Sequence, residues 1–588
     1  MAHARRAAPA KTPKTRPQEP QAKQSARPSP VVDAIIAWIP KHSLALFLLL
    51  VAIGSLRIVS TYDVFSHTAD EPAHLAAGLE WLSKGVYRYE AQHPPLARVA
   101  VALGPYLAGL RTDDNPDMWG EGLTILYRDR QYDRTLALAR LGTLPFFLAA
   151  CLVVYLWGKR YLGEPGTAFA VLCFTFLPPI LAHAGLATTD MALTATVSAS
   201  FLAAMVWLDR PGPAHSLVLG VITGLAVLSK FSALAFLPVA LAASLIWYLI
   251  AERPNLAELF KSTKKYALPF CGALLAGLLV VWAGYRFSFG LVPFYSEGML
   301  PAEVTAVVPQ TPSFTLHLPA PELYAGIQQV MVHNRRGQAA YLLGDHSHSG
   351  WWYFYLVALA VKTPLAFFAL LLCGVFALNR RGTFLALSFS LGILAFSSFF
   401  SRINIGVRHV LPVYVGFAIL AGAGAARLLL YSRTSKPARW ILSGLLVWLT
   451  ATSVLSHPDY LAYFNALAGS HPENVLVDSD LDWAQDLKRL STRLHELGVQ
   501  DIAFNPFFAE NLEAAGFPRV HPFDPEKPSP GWNAVFLTEL KSSRFGHQGD
   551  DPQLKFWPEQ IKPTEKIGKG IWLWYFPPNA MPDLSEVR

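Results

Sequence analysis

Charge is scarce in this chain. Only 15% of its 588 residues are Asp, Glu, Lys or Arg, against 53% hydrophobic and 12% aromatic, a balance that excludes one soluble domain of ordinary make-up. Cysteine is scarcer still. Cys151, Cys173, Cys271 and Cys373 all fall inside apolar runs, so no disulfide framework can be inferred and each reads as a small packing residue. No internal repeat is visible, which argues against the inverted-repeat transporters. The first apolar run begins at Leu44, far from the start, and no A-x-A-like site follows it. It is therefore expected to stay as an anchoring span rather than be cleaved.

What the chain has in abundance is apolar runs of roughly 17 to 25 residues, the length that crosses a hydrocarbon core about 30 Å thick. They predict a polytopic α-helical membrane protein with about eleven spans, at 44–60, 136–157, 166–184, 188–208, 215–230, 233–250, 266–286, 351–378, 383–400, 406–429 and 439–456. The net charge of +8 is not a nucleic-acid signature, because the basic residues crowd into the N-terminal tail and alternate loops between runs, as insertion topology requires. With a cytoplasmic tail, those loops carry about twelve Lys and Arg against about three on the other side. The expected setting is the cell (inner) membrane, with residues 61–135, 287–350 and everything beyond 457 on the extracytoplasmic face.

Three parts follow. Residues 1–40, rich in Pro, Ala, Lys and Arg over the first thirty, are expected to be a disordered basic tail. Residues 41–456 form the membrane part. Residues 457–588 change character: VLVDSD, DIAFNPFF, AVFLTEL and IWLWYF read as short strands and AQDLKRLSTRLHEL as an amphipathic helix, predicting a small C-terminal α/β domain outside the membrane.

The ionisable residues beside the spans gather on one side. HTADEPAHLAAGLEWLSKG at 67–85 places adjacent carboxylates, Asp70 and Glu71, where the chain leaves the first span; Asp190 opens the fourth span; Lys230 sits at the turn between the fifth and sixth; Arg402, Arg408 and His409 in SRINIGVRHVLP precede the tenth. Each alone reads as interfacial snorkelling or a helix cap, but one-sided clustering beside apolar spans marks a site. Its chemistry suits transfer from a phosphate-linked donor: a carboxylate accepts the proton of an attacking group, and Lys and Arg hold charge developing on a departing phosphate. Neighbours on a helix diverge by about 100°, so one of Asp70 and Glu71 is expected to act and the other to support it or bind a metal.

ADEPAH after the first span, QHPPLARVAVALGPYL at 92–107, ATTDMAL, GLAVLSKFSAL, GWWYFYLVALAVKTPL at 350–365, NIGVRHVLPVY at 404–414 and HPDYLAYFNALAG through DSDLDWAQDLKRL at 457–490 resemble the lipid-carrier-dependent glycosyltransferases of the GT-C superfamily. Within it the likeness is to the protein O-mannosyltransferases and aminoarabinose transferases, and to a bacterial subgroup. The resemblance implies a polyprenyl-phosphate sugar donor, an active site on the outer face and an inverting single displacement moving a hexose or pentose to a protein, lipid or glycan acceptor. It also implies Asp70 as catalytic base with Glu71 beside it, and Asp190 as the acid of the second outer loop. The extra luminal repeats of the O-mannosyltransferases are absent here.

Other residues carry two readings each. His93 before Pro94–Pro95 is a structural stop or a donor-phosphate contact. GDHSHSGWW at 344–352 alternates His346 and His348, which with Glu71 are the candidates for a divalent metal ion, against the plainer reading of a solvated loop. Trp351 and Trp352 form an interfacial belt or a sugar-stacking face. Asp478, Asp480 and Asp482 alternate but lack the glycine turn and closing Glu of a calcium loop, so a helix-entry segment is expected. A secondary transporter would place its charges at the midplane of broken helices, and a membrane scaffold leaves the acid–base cluster unexplained.

Overall fold

Apolar helices dominate the computed structural model, which describes residues 28–294, 313–376, 380–506, 510–541 and 556–582. Among the described residues six helices have the length and composition to cross a membrane: Tyr132–Tyr161, Asp190–Asp209, Ala233–Glu252, Thr263–Gly284, Val413–Tyr431 and Lys436–Leu455. Three bent pairs, Pro30–Lys41 with Ser43–Val59, Gly163–Thr175 with Pro178–Ala184, and Phe354–Lys362 with Leu365–Val375, bring the number to nine if each is one span. The segments expected at 215–230 and 383–400 fall on the shorter apolar helices Pro213–Ser229 and Phe384–Phe400. At 1.5 Å per residue such helices reach only about 25 Å, less than a hydrocarbon core. On length and composition the described residues therefore carry six to nine spans rather than about eleven.

The sharpest bend, 111°, separates Phe354–Lys362 from Leu365–Val375. Pro364 cannot continue the helix and frees carbonyls that need donors. Asn465, from beyond the last span, supplies them: its Nδ2 donates to the Ala360 and Thr363 carbonyls at 2.6 and 2.7 Å, and its backbone N–H to Val361 at 2.8 Å. The buried Lys362 ammonium donates to the carbonyls of Leu461, at 2.7 Å, and Asp480. The post-span segment is thus built into the membrane part.

The basic tail is only partly as expected. Residues 1–27 lie outside the described residues, but Pro30–Lys41 is helical, a correction to disorder across 1–40. Val32 and Ile39, two turns apart, are buried, Pro30 suits the first helical position, and the Ser29 N–H donates to the Arg433 carbonyl at 2.7 Å.

Residues 61–135 fold into helices Glu71–Lys84, Pro95–Leu107 and Met118–Tyr127. The first two cross closely because position 78 is Gly: a Cβ there would stand 2.1 Å from the Arg98 carbonyl oxygen. The C-terminal residues form a five-stranded sheet in the order Arg519–His521, Asp501–Ala503, Gly531–Phe536, Ile571–Phe576 and Glu565–Ile567, its first three strands parallel and its last two pairings antiparallel. Helix Leu487–Glu496 covers it with Leu487, Leu490 and Leu494, three and four residues apart. VLVDSD is not a strand. It follows the short 3₁₀ turn Pro472–Asn474 and ends in another at Asp478–Asp480, where Ser479 and Asp480 bond to the membrane part instead of to a ladder.

Candidate functional site

Four of the residues singled out by sequence meet at one end of the helix bundle. Asp70 precedes helix Glu71–Lys84, Asp190 is the first residue of Asp190–Asp209, Lys230 follows Pro213–Ser229, and Arg408 lies in the 3₁₀ turn Val407–Val410. Lys230 Nζ donates to Asp190 Oδ1 at 2.7 Å, and Arg408 Nη1 donates to Asp70 Oδ2 at 2.8 Å and stands 3.8 Å from Asp190 Oδ2. Asp190 is fully buried, Lys230 and Arg408 nearly so, while the Asp70 side chain is 33% exposed. Two cations and two carboxylates thus form one largely buried cluster, where charged hydrogen bonds are stronger than in water. Spare capacity is left in it. Neither Arg408 Nη2 nor Asp70 Oδ1 makes a hydrogen bond among the described residues, and His409 Nε2 is buried with no partner. Burial, reinforced by the charges of Lys230 and Arg408, holds the His409 imidazole well below its usual pKa, so it is neutral.

Glu71 takes the supporting role. Its oxygens accept from Arg140 Nε and Nη2, both at 2.9 Å, from the Thr68 N–H at 2.7 Å and from the Ala187 N–H at 2.8 Å. Burial alone would raise its pKa, but the Arg140 charge and these bonds outweigh burial and hold it below the usual glutamate range. Arg140 also donates to the Tyr62, Phe65 and Ser66 carbonyls, so the pair ties the chain leaving the first span to the turn before Asp190.

His93 joins a neighbouring group. Arg98, buried, donates through Nε to His74 Nδ1 at 3.2 Å and through Nη2 to Glu90, which also pairs with His93 at 3.1 Å; His74 and His93 meet edge to face at 5.1 Å. Arg402 stands apart: it is exposed, and its guanidinium bonds to the Arg335 carbonyl at 3.3 Å and to no member of the cluster. His346 bonds through Nε2 to the Lys541 carbonyl at 2.7 Å. Glu71, His346 and His348 do not assemble a metal centre, since Glu71 is filled by five donors, the Thr68 hydroxyl being the fifth, and among the described residues no group of three or more His, Cys, Asp or Glu is arranged to hold a metal ion.

Sequence reasoning missed the wall behind Arg408. Its Nε donates to Ser479 Oγ at 3.2 Å and its guanidinium lies 4.2 Å from the Trp483 ring centre. The stretch expected as a helix entry does precede helix Leu487–Glu496 but is also buried against the first outer loop, with the Ser66 and Ala69 N–H groups donating to the Gln485 and Trp483 carbonyls at 3.0 and 3.3 Å. Arg140 was missed as well, although an arginine inside an apolar run was a visible signal.

A helical membrane protein with an acid–base and cation cluster at one end of its bundle is the class these observations define. A family model described as dolichyl-phosphate-mannose-protein mannosyltransferase matches residues 135–283, a stretch that includes Arg140, Asp190 and Lys230. Three solved structures are similar at low identity. ArnT from Cupriavidus metallidurans bound to undecaprenyl phosphate is 15% identical, covering 91% of this chain and 99% of that one with a TM-score of 0.47. The archaeal oligosaccharyltransferase AglB from Archaeoglobus fulgidus, in complex with an inhibitory peptide and a dolichol-phosphate, is 11% identical over 83% of this chain and 69% of that one, TM-score 0.42. The arabinofuranosyltransferase AftD from mycobacteria is 10% identical over 83% and 35%, TM-score 0.39. No curated protein sequence matches the chain.

Proposed function

We propose that the protein is a membrane glycosyltransferase that moves a sugar from a polyprenyl-phosphate donor to an acceptor at the outer face of the membrane. The observation that carries this reading is the Asp70–Arg408 pair, a one-third-exposed carboxylate beside a guanidinium, each with one atom that makes no hydrogen bond among the described residues, backed by Asp190 and Lys230. The family-model match over 135–283 supports it.

In this reading Arg408 Nη2 and Lys230 hold the donor phosphate, and Asp70 accepts the proton of the attacking acceptor group. The acceptor oxygen or nitrogen bonds to the anomeric carbon as the bond from that carbon to the phosphate oxygen breaks, its electron pair leaving on the phosphate. One displacement inverts the anomeric centre. The oxocarbenium-like transition state is favoured by the Asp70 charge, and the departing anion by the two cations. No step is routed through a metal ion, because Glu71, His346 and His348 do not fit one. The C-terminal sheet lies on the extracytoplasmic side with the site, the N-terminus on the other.

The test is to incubate the purified protein in lipid with a panel of polyprenyl-phosphate hexoses and pentoses and follow release of the carrier phosphate. Release from at least one donor, with an inverted product, is expected; a release rate equal to the lipid-only blank for every donor would remove the proposal.

A further inference from the structure

The segment Asp478–Trp483 belongs in sequence to the C-terminal unit, yet it bonds to the helix bundle as well as to that unit. Asp480 Oδ1 accepts from the Val407 N–H at 3.0 Å, Ser479 Oγ donates to the Ile405 carbonyl, and the Asp480 carbonyl accepts from Lys362. On its other side the Asp478 N–H and the Thr538 N–H bond to Thr538 Oγ1, at 2.8 Å, and Asp482 Oδ2, at 3.2 Å. The segment is therefore clamped between sheet and helix bundle. Asp478 itself takes φ +56°, a left-handed conformation that costs a non-glycine residue energy and persists where the surroundings over-determine it. The opposing chain is fitted to it: Gly406, at φ +146°, leaves no room for a Cβ, which would stand 2.3 Å from Ser479 Oγ.

Two side chains of this segment touch Arg408. Ser479 Oγ accepts from Nε, and the Trp483 ring lies under the guanidinium. Together they fix the plane of the guanidinium, so that Nη1 reaches Asp70 and Nη2 stays free.

We propose that Asp478–Trp483 is a working wall of the donor-phosphate site, in which Ser479 and Trp483 are positioning residues for Arg408. This rests on the glycosyltransferase reading for the identity of the ligand, a prenyl phosphodiester, but not for the role of the wall.

The experiment uses the full-length protein in lipid nanodiscs, with two readouts on each preparation: labelling of Arg408 by an arginine-selective dicarbonyl, read by peptide mass spectrometry, and binding of a polyprenyl methyl phosphodiester. Trp483→Leu is expected to raise Arg408 labelling about fivefold and weaken binding about tenfold, the scale of a desolvated cation–π contact, while Trp483→Phe restores both to within about threefold. Ser479→Ala is expected to give the same changes at about half the size on a logarithmic scale, and it carries the test if Trp483→Leu does not fold. Labelling and binding unchanged in both Trp483→Leu and Ser479→Ala would overturn the positioning role. Wild-type protein that binds no phosphodiester while Trp483→Leu still unmasks Arg408 would leave the wall standing and remove the glycosyltransferase reading.

Discussion

Asp70 and Glu71 share a peptide bond and each faces an arginine at hydrogen-bond distance, yet the Glu71 side chain is 1% exposed with both oxygens filled, and Asp70 is 33% exposed with one oxygen spare. The difference comes from their place at the helix start. Asp70 is the residue before the helix and Glu71 the first within it, so their side chains leave the axis in different directions. Glu71 points between chain segments and joins them, and Asp70 points into the pocket with Arg408. Two nearly identical ion pairs are thus told apart by unused bonding capacity, not by distance or charge.

The comparison breaks first at Glu71. Glu71→Gln leaves Arg140 buried without its counter-charge and is expected to cost about 3–5 kcal/mol, seen as a lower Tm and loss of monodisperse protein on size exclusion. Because the Glu71 pKa is lowered in the folded protein, the pair contributes stability above the usual glutamate range and loses it as pH falls through the folded value; an acid-induced drop in Tm should be smaller in any Glu71→Gln protein that folds. Arg408→Lys sharpens the other side. It keeps the charge but loses the forked geometry, and a tenfold or greater fall in transfer, about 1.4 kcal/mol or more, is expected with Tm within about 2 °C of wild type. Arg402→Gln, outside the cluster, should change transfer by less than about twofold. Arg433→Lys should change nothing measurable, because Arg433 meets Asp33 in an exposed pair of a kind worth at most about 1 kcal/mol.

Much of this was legible in the sequence where one-dimensional signals suffice. Apolar run length marked the helices, and positive loops sorted Asp70, Asp190, Lys230 and Arg408 onto one side before any contact was known. What could not be read were contacts made across the chain. Trp483 meets Arg408 from 75 positions away, and nothing in DSDLDWAQD distinguishes a clamped connector from an exposed helix entry. The filling of Glu71 depends on Arg140 and on the Ala187 N–H, 116 residues distant, so the residues alone stated a division of labour with Asp70, and only the family resemblance said which of the two would act. The helix at Pro30–Lys41 was hidden for a different reason, since its apolar stripe is short and follows a tail rich in proline.

The central claim is that Asp70 does chemistry while the groups around it hold the donor. It is tested most directly by Asp70→Asn, with transfer and prenyl phosphodiester binding measured on the same folded preparation. The prediction is a transfer rate at least about a hundredfold below wild type, the scale for loss of a general base, with binding within about threefold and Tm unchanged. An Asp70→Asn protein that is properly folded, binds the phosphodiester and turns over at the wild-type rate would contradict it.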